Sequence, residues 1–417
     1  MARIIRQVAA PNASLSFVFA AAICLTPAWV FAVPDSQELR GAYSTDAVKT
    51  LNKPPKGNDT DVLENEELMK FEGNDDLLLG WEALQKKDYQ RAMELFLKAA
   101  SAGNVGATIN IGVMYLNGDG VARDEQKANE WFRKAADLGS CTAMYNLGVA
   151  YNEGSGVKQD YRQAIEWYQK AIDGGNASAM VNMAAMYRRG QGVAQDFKKS
   201  AALQRRAAEA GNSKGMFGLG FAYDEGEGVP QDYQQAMNWY RKAAAAGETR
   251  AMTNLGILYR MGQGVAQDYR EAMTWFKKAA DAGDASAMTE IGGLYCNGQG
   301  VTKNYQAAMD WLQKAAGAGD VGAMSNIGTL HTLGLGVPQN YGEALKWYQK
   351  AAAAGGKAGM YNMGVLCYQG LGVPKDLAKA KEWFEKAAAL GHPAAKSELD
   401  KMNSARPGMS IDFRGMK

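Results

Sequence analysis

The sequence predicts an all-α protein, a right-handed α-α solenoid of stacked antiparallel helix pairs. Three recurrences carry that expectation. Gly-x-Gly-Val returns at Gly118, Gly154, Gly190, Gly226, Gly262, Gly298, Gly334 and Gly370, 36 residues apart each time. Tryptophan keeps the same interval at Trp131, Trp167, Trp239, Trp275, Trp311, Trp347 and Trp383, with Leu203 in the one remaining place. A third glycine column, from Gly103 through Gly139 and Gly175 to Gly391, closes each unit. A period of this length marks repeated supersecondary units that bury their apolar faces on one another. The 417-residue chain therefore carries one repeat array instead of the two or three domains that length alone suggests.

Each unit reads as two helices. In AMYNLGVAY, the apolar positions Met144, Leu147, Gly148 and Tyr151 fall at i, i+3, i+4 and i+7, one face of a helix. Gly154 ends it as a left-handed cap, where a side chain is unfavourable. Asp160 supplies an N-cap carboxylate for the second helix, with Gln163 as capping-box partner. Ala164, Trp167 and Ala171 mark its buried face, and Gly175 ends it. Gly148, in mid-helix, costs about 1 kcal/mol relative to alanine and so needs a reason. The expected reason is close helix approach, with Gly148 and Ala164 leaving room for Trp167.

Asn146-Leu147-Gly148, Tyr151, Gly154, Gly156-Val157, Ala164, Trp167 and Ala171 resemble the Sel-one-like repeat (SLR), a longer relative of the tetratricopeptide repeat. The resemblance covers residues 74–403, comprising one tetratricopeptide-like unit at Gly80–Ala100, eight 36-residue units and a closing helix at Pro393–Met402. It implies an adaptor or assembly role without catalysis, often in a bacterial envelope or host-facing protein. The pattern breaks at Ala184 and Leu203, which replace the glycine and tryptophan, and at His331 and Cys367 in the tyrosine column.

Outside the array, Arg3 and Arg6 precede an apolar run from Leu15 to Leu25, and Val30-Phe31-Ala32 ends in a cleavage-like pattern. Residues 1–32 thus read as a signal peptide, giving a periplasmic or secreted protein. The uncharged interval 7–34 is also long enough for an uncleaved membrane anchor. Residues 33–73 read as a polar linker with a short helix near Leu63–Phe71, and 404–417 as a frayed tail.

Without the signal, 44 basic residues face 44 acidic ones, so no global charge favours nucleic acid. Cys141, Cys296 and Cys367 lie in different units and suggest packed thiols in place of a disulfide framework. His331 and His392 are the only histidines, in different repeats, and no Cys or His pair has zinc-ligand spacing, so no metal site is expected. Ser155-Gly-Val-Lys158 matches the Ser-x-x-Lys string of penicillin-recognising enzymes, but it lies in a turn and has no Ser-Asp-Asn or Lys-Thr-Gly partner. A β-lactam or cell-wall peptide hydrolase is therefore the weaker alternative. The Gly-x-Gly loops follow helices and lack a third glycine, which argues against a nucleotide cofactor.

Comparing repeats separates frame from display. One column of the first helix varies: Ile109, Tyr145, Val181, Phe217, Thr253, Thr289, Ser325 and Tyr361. A second comprises Val113, Val149, Ala185, Phe221, Ile257, Gly293, Thr329 and Val365. First helices line the concave side in repeats of the type resembled, so both columns are expected to face a groove that takes a peptide or protein. Asn110, Asn146, Asn182, Asn254, Asn326 and Asn362 form a ladder there, either pairing with a bound backbone or bridging adjacent helices. Arg188, Arg189, Lys214, Arg250 and Arg260 would hold an acidic partner segment, or be satisfied on the surface by Asp224 and Glu225. Tyr145, Phe217, Phe221 and Tyr361 offer stacking surfaces for the alternative of a cell-wall or polysaccharide ligand.

Overall fold

The computed structural model describes residues 74–404. The expected signal, linker and short helix near 63–71 lie outside the described residues, as does the expected tail beyond Ser404. The described residues form nineteen helices and no strand. Two compact units divide them at residues 246 and 247.

The first unit holds α1 (Asn74–Gln85), α2 (Tyr89–Ser101), α3 (Val105–Asn117), α4 (Glu125–Asp137), α5 (Cys141–Glu153), α6 (Tyr161–Asp173), α7 (Ala177–Arg189), α8 (Phe197–Glu209), α9 (Ser213–Glu225) and α10 (Tyr233–Ala245). The second holds α11 (Thr249–Met261), α12 (Tyr269–Asp281), α13 (Ala285–Asn297), α14 (Tyr305–Gly317), α15 (Val321–Leu333), α16 (Tyr341–Ala353), α17 (Lys357–Gln369), α18 (Leu377–Ala389) and the closing α19 (Pro393–Ser404). Odd-numbered helices up to α17 are the first helices of the repeats. The chain is thus an all-α repeat solenoid of packed helix pairs.

The pair α5–α6 shows how the sequence makes the unit. Ser140 caps α5 through its hydroxyl, which accepts from Ala143 N at 3.1 Å. Gly154 ends α5 at φ 79°, its N–H reaching Ala150 O. Gly156 serves the contact between repeats. A Cβ there would lie 2.4 Å from the carbonyl carbon of Glu125, so the loop rests on the start of the preceding repeat's second helix. Asp160 Oδ1 caps α6 by accepting from Arg162 N and Gln163 N. The reciprocal arm of the expected capping box is not made. Asp160 N–H is spent on Tyr151 O at 2.9 Å, and Gln163 donates to Glu166 instead.

Gly148 is the point of closest helix approach, but its partner is not Trp167. A Cβ on Gly148 would stand 2.4 Å from Tyr168 Cδ1. The same relation joins Gly80 to Phe96, Gly112 to Phe132, Gly220 to Tyr240, Gly256 to Phe276, Gly292 to Leu312, Gly328 to Tyr348 and Gly364 to Phe384. Tyr168 is fully buried, whereas Trp167 belongs to the cluster that includes Ala128, Phe132, Ala135 and Leu147 of the preceding unit and its junction. One face of each tryptophan in the 36-residue column is covered by the lysine one turn later, with Nζ 3.8 Å from the ring centre at Trp131 and 4.1 Å at Trp167. In the irregular repeat, Ala184 replaces the glycine where Gln204 replaces the aromatic ring. Gln204 instead reaches toward α9, close enough that a Cβ on Gly218 would meet its side chain.

Candidate partner-binding face

Within each unit, consecutive first helices approach one another: α5 with α7 and α7 with α9, then α13 with α15 and α15 with α17. Consecutive second helices do not come as close among the described residues. The first helices therefore form the inner side of each stack.

The two variable columns behave differently on that side. Ile109, Tyr145, Val181, Thr253 and Ser325 of the first column are buried between layers, which corrects the expectation that this column lies open in a groove. Helix rotation is the reason, since this stripe turns toward neighbouring helices. The second column is the displayed one. Val149, Ala185, Phe221, Ile257, Gly293 and Val365 are half-buried, with Val113 and Thr329 withdrawn.

Two candidate aromatic residues remain partly accessible on α9. Phe217 packs at 5.7 Å against the Tyr240 ring, and Phe221 lies under the Arg188 guanidinium at 4.6 Å. Tyr145 is 5% exposed and tilted onto Tyr168, so its ring face is not available. Tyr361 is stacked on His392 at 4.4 Å, and burial pushes its hydroxyl pKa up to about 12. His392 Nδ1 accepts from Ala395 N at the start of α19, a capping role that requires the neutral ring. Burial, with Lys357 second, lowers its pKa to about 4 and keeps it neutral.

The asparagine ladder is not uniform. Asn110 is 5% exposed. Asn182 Nδ2 donates to Tyr168 Oη at 3.2 Å and to Tyr145 Oη at 3.5 Å, bridging adjacent repeats. Asn146, Asn254, Asn326 and Asn362 are half-buried on α5, α11, α15 and α17.

Arg188, Arg250 and Arg260 are each engaged by an acid. In the first unit, Arg188 makes two bonds to Glu227, at 2.6 and 3.1 Å. Asp224 instead accepts from Tyr240 Oη at 3.0 Å, and its burial raises its pKa to about 6. Arg189 and Lys214 also lie in this unit, Arg189 exposed and Lys214 half-buried. In the second unit, Arg250 donates to Glu248 at 2.8 Å, and Arg260 Nε lies 3.3 Å from Glu290 Oε2.

A cavity of 690 Å³ is lined by Tyr151, Val157 to Arg162 and Gly192, beside the loop before α6. Ser155 sits in that loop's turn, its N–H bonded to Ala150 O, and not at a helix start as Ser-x-x-Lys chemistry requires. Cys141, Cys296 and Cys367 are free thiols, the last two buried. Among the described residues, no group of three or more His, Cys, Asp or Glu is arranged to hold a metal ion. No described helix is long and apolar enough to cross a membrane.

Stacked helix pairs repeated along the chain define the class of α-helical repeat proteins. The model of the Sel1 repeat matches residues 78–104, 105–140, 142–176, 177–212, 213–248, 249–284, 285–320, 321–356 and 357–392. This chain belongs to the Sel1 repeat family, whose members are generally protein-interaction scaffolds. It is similar to c5321, a protective antigen of uropathogenic Escherichia coli strains with an SLR fold. That likeness has 35% identity and a TM-score of 0.61 over 79% of this chain and 72% of c5321. It is also similar to a Sel1 repeat protein from Oxalobacter formigenes, with 34% identity and a TM-score of 0.55 over 58% of this chain and 99% of that one. A search of curated proteins finds no significant match.

Proposed function

We propose that this chain is a non-catalytic scaffold of the bacterial envelope, or a secreted one, that seats a peptide or protein partner on the inner side of its first helices. The observation that carries this is the second variable column. Its positions differ from repeat to repeat and are half-buried in most repeats, and Val149, Ile257 and Val365 rest on the edge of the core while leaving part of the side chain open. The frame positions beside it, such as Leu147, Leu255 and Ile327, are fully buried. Aromatic side chains braced by an arginine, as at Phe221 and Arg188, are the residue types that dominate binding energy at interfaces.

Because Arg188, Arg250 and Arg260 already face Glu227, Glu248 and Glu290, an acidic partner would have to displace those carboxylates. Apolar anchoring on Phe217 and Phe221 is the stronger contribution. Export rests on Arg3, Arg6 and the apolar run that follows them.

The test is capture from an envelope fraction by the tagged full chain, with purified cell-wall material as a parallel arm. Phe221→Ser should lower protein capture while leaving the thermal midpoint within a few degrees, and Glu130→Ser at an exposed position of the second helix α4 should change neither. Undiminished capture by the Phe221 variant, or retention by cell wall in place of protein, would overturn the reading.

A further inference from the structure

Charge is unevenly spread over the second helices of the first unit. α4 sets Glu125, Glu130 and Asp137 against Lys127, Arg133 and Lys134, and α6 sets Glu166 and Asp173 against Arg162 and Lys170. The balance then fails. α8 exposes Lys198, Lys199, Arg205 and Arg206 against Glu209, and α10 exposes Arg241 and Lys242 and has no acid in its sequence.

The excess begins where the repeat frame is broken. In α10 the ammonium of Lys242 lies 4.0 Å over the Trp239 ring. In α8 Leu203 replaces the tryptophan and the lysine becomes Arg206, which has neither ring nor acid against it among the described residues. Arg205 donates to a neutral group, Tyr223 Oη, at 2.8 Å. At the other end of α8, Lys199 lies 3.8 Å from its own cap, Asp196. The unsatisfied charge therefore gathers at the C-terminal ends of α8 and α10, and guanidinium groups open in this way take carboxylates through paired hydrogen bonds.

That edge is also where first helices begin, since α8 ends at Glu209 and α9 starts at Ser213. α1 is itself a first helix, so the chain enters the unit along the same edge. Just before α1, residues 59–72 carry Asp59, Asp61, Glu64, Glu66, Glu67 and Glu72 against Lys70 alone. Packed helices are spaced by about 10 Å, so α8 and α10, three and four repeats on, lie about 30–40 Å along the edge. An extended chain spans at most about 3.5 Å per residue, which brings Asp61 and Glu64 to that distance from Asn74.

We propose that the acidic segment 59–67 lies extended along this edge and seats its carboxylates on Arg205, Arg206, Arg241 and Lys242. The contact is made within one chain, and an outside acidic protein segment has to displace it to reach these groups. The extended form takes the place of the short helix expected near 63–71, which at about 1.5 Å per residue would stop short of α8. Because exposed charges make the contact, salt weakens it. It uses the second helices and stands apart from the reading of the inner side.

Carbodiimide crosslinking of the full chain, mixed from isotopically light and heavy copies, reads the contact directly. Carboxylates of 59–67 should join Lys242 about fivefold more often than Lys278, Lys314 or Lys350, which hold the same place over their own tryptophans. Equal yields at the four lysines overturn the site. Links between light and heavy copies make a second copy the occupant and overturn the contact within one chain. Arg206→Glu should lower the Lys242 yield by about threefold with the thermal midpoint unmoved, and an unchanged yield also overturns the site. Converting Asp59, Asp61, Glu64, Glu66 and Glu67 to their amides should tighten binding of polyglutamate to the full chain by about threefold or more. Unchanged affinity overturns the displacement.

Discussion

Replacing Gly148 by alanine tests the packing logic of the whole array. Helix propensity alone would make the change stabilising by about 1 kcal/mol. The structure opposes it: the new methyl would stand 2.4 and 2.5 Å from Tyr168 Cδ1 and Cε1, well inside ordinary van der Waals contact. Tyr168 is fully buried between α5 and α6 and cannot swing aside, so the helices must separate. Overpacking of this kind costs about 1–3 kcal/mol, and complete relief requires losing the ring's burial. The expected net result is destabilisation of about 0–2 kcal/mol after the propensity gain is subtracted. A Cβ on Gly293 in α13 would meet no heavy atom within 4 Å. Urea unfolding monitored by circular dichroism, with Gly293→Ala as the open-space control, measures both signs in one array. The control should shift the midpoint up and Gly148→Ala should shift it down. A Gly148→Ala protein as stable as the control would show that the glycine column does not set the helix spacing.

Other substitutions probe separate parts of the structure. Trp167→Ala should cost about 3–5 kcal/mol, visible as a lower urea midpoint, because the ring is 9% exposed and packs on the preceding unit. Asp224 has a folded pKa of about 6 against an ordinary 3.8, so the folded chain takes up the proton first and gains stability as pH falls from about 6 toward 3.8. Asp224→Asn keeps an acceptor for Tyr240, should add about 1–3 kcal/mol at pH 7.5, and should flatten the stability profile over that acidic window. His392 has the opposite sign, with a folded pKa of about 4 below the ordinary 6.5, so the unfolded chain protonates first and stability is lost as pH falls through that range. Amide exchange in α19 should therefore quicken between pH 6.5 and 4 beyond its intrinsic rate change, and His392→Asn, which keeps a cap acceptor, should abolish the excess.

The period, the helix pairing and the caps were legible in the sequence because each depends on local geometry. Gly154 at the left-handed C-cap and Asp160 at the N-cap act within a few residues of where they stand. The partner of Gly148 was not legible. Trp167 and Tyr168 are adjacent, both large and both repeated, and only the rotation of α6 decides which ring meets its own first helix and which meets the preceding unit. The same limit hid the burial of Tyr145, which lies one position from Asn146 and turns into the layer. Ion pairs were equally out of reach. Arg188 finds Glu227 across 39 residues, past the nearer Asp224 and Glu225, because stacking and not sequence distance brings them together.

Whether partners dock on the first helices can be read by site-directed photocrosslinking in living cells. A photoreactive residue is placed singly at Val149, Phe221, Ile257 and Val365 on the inner side, and at Glu166 and Lys242 on the second helices. Discrete protein adducts are expected from the inner positions and none from the second helices. Adducts that arise only from the second helices would contradict the assignment of the inner side as the partner-binding face.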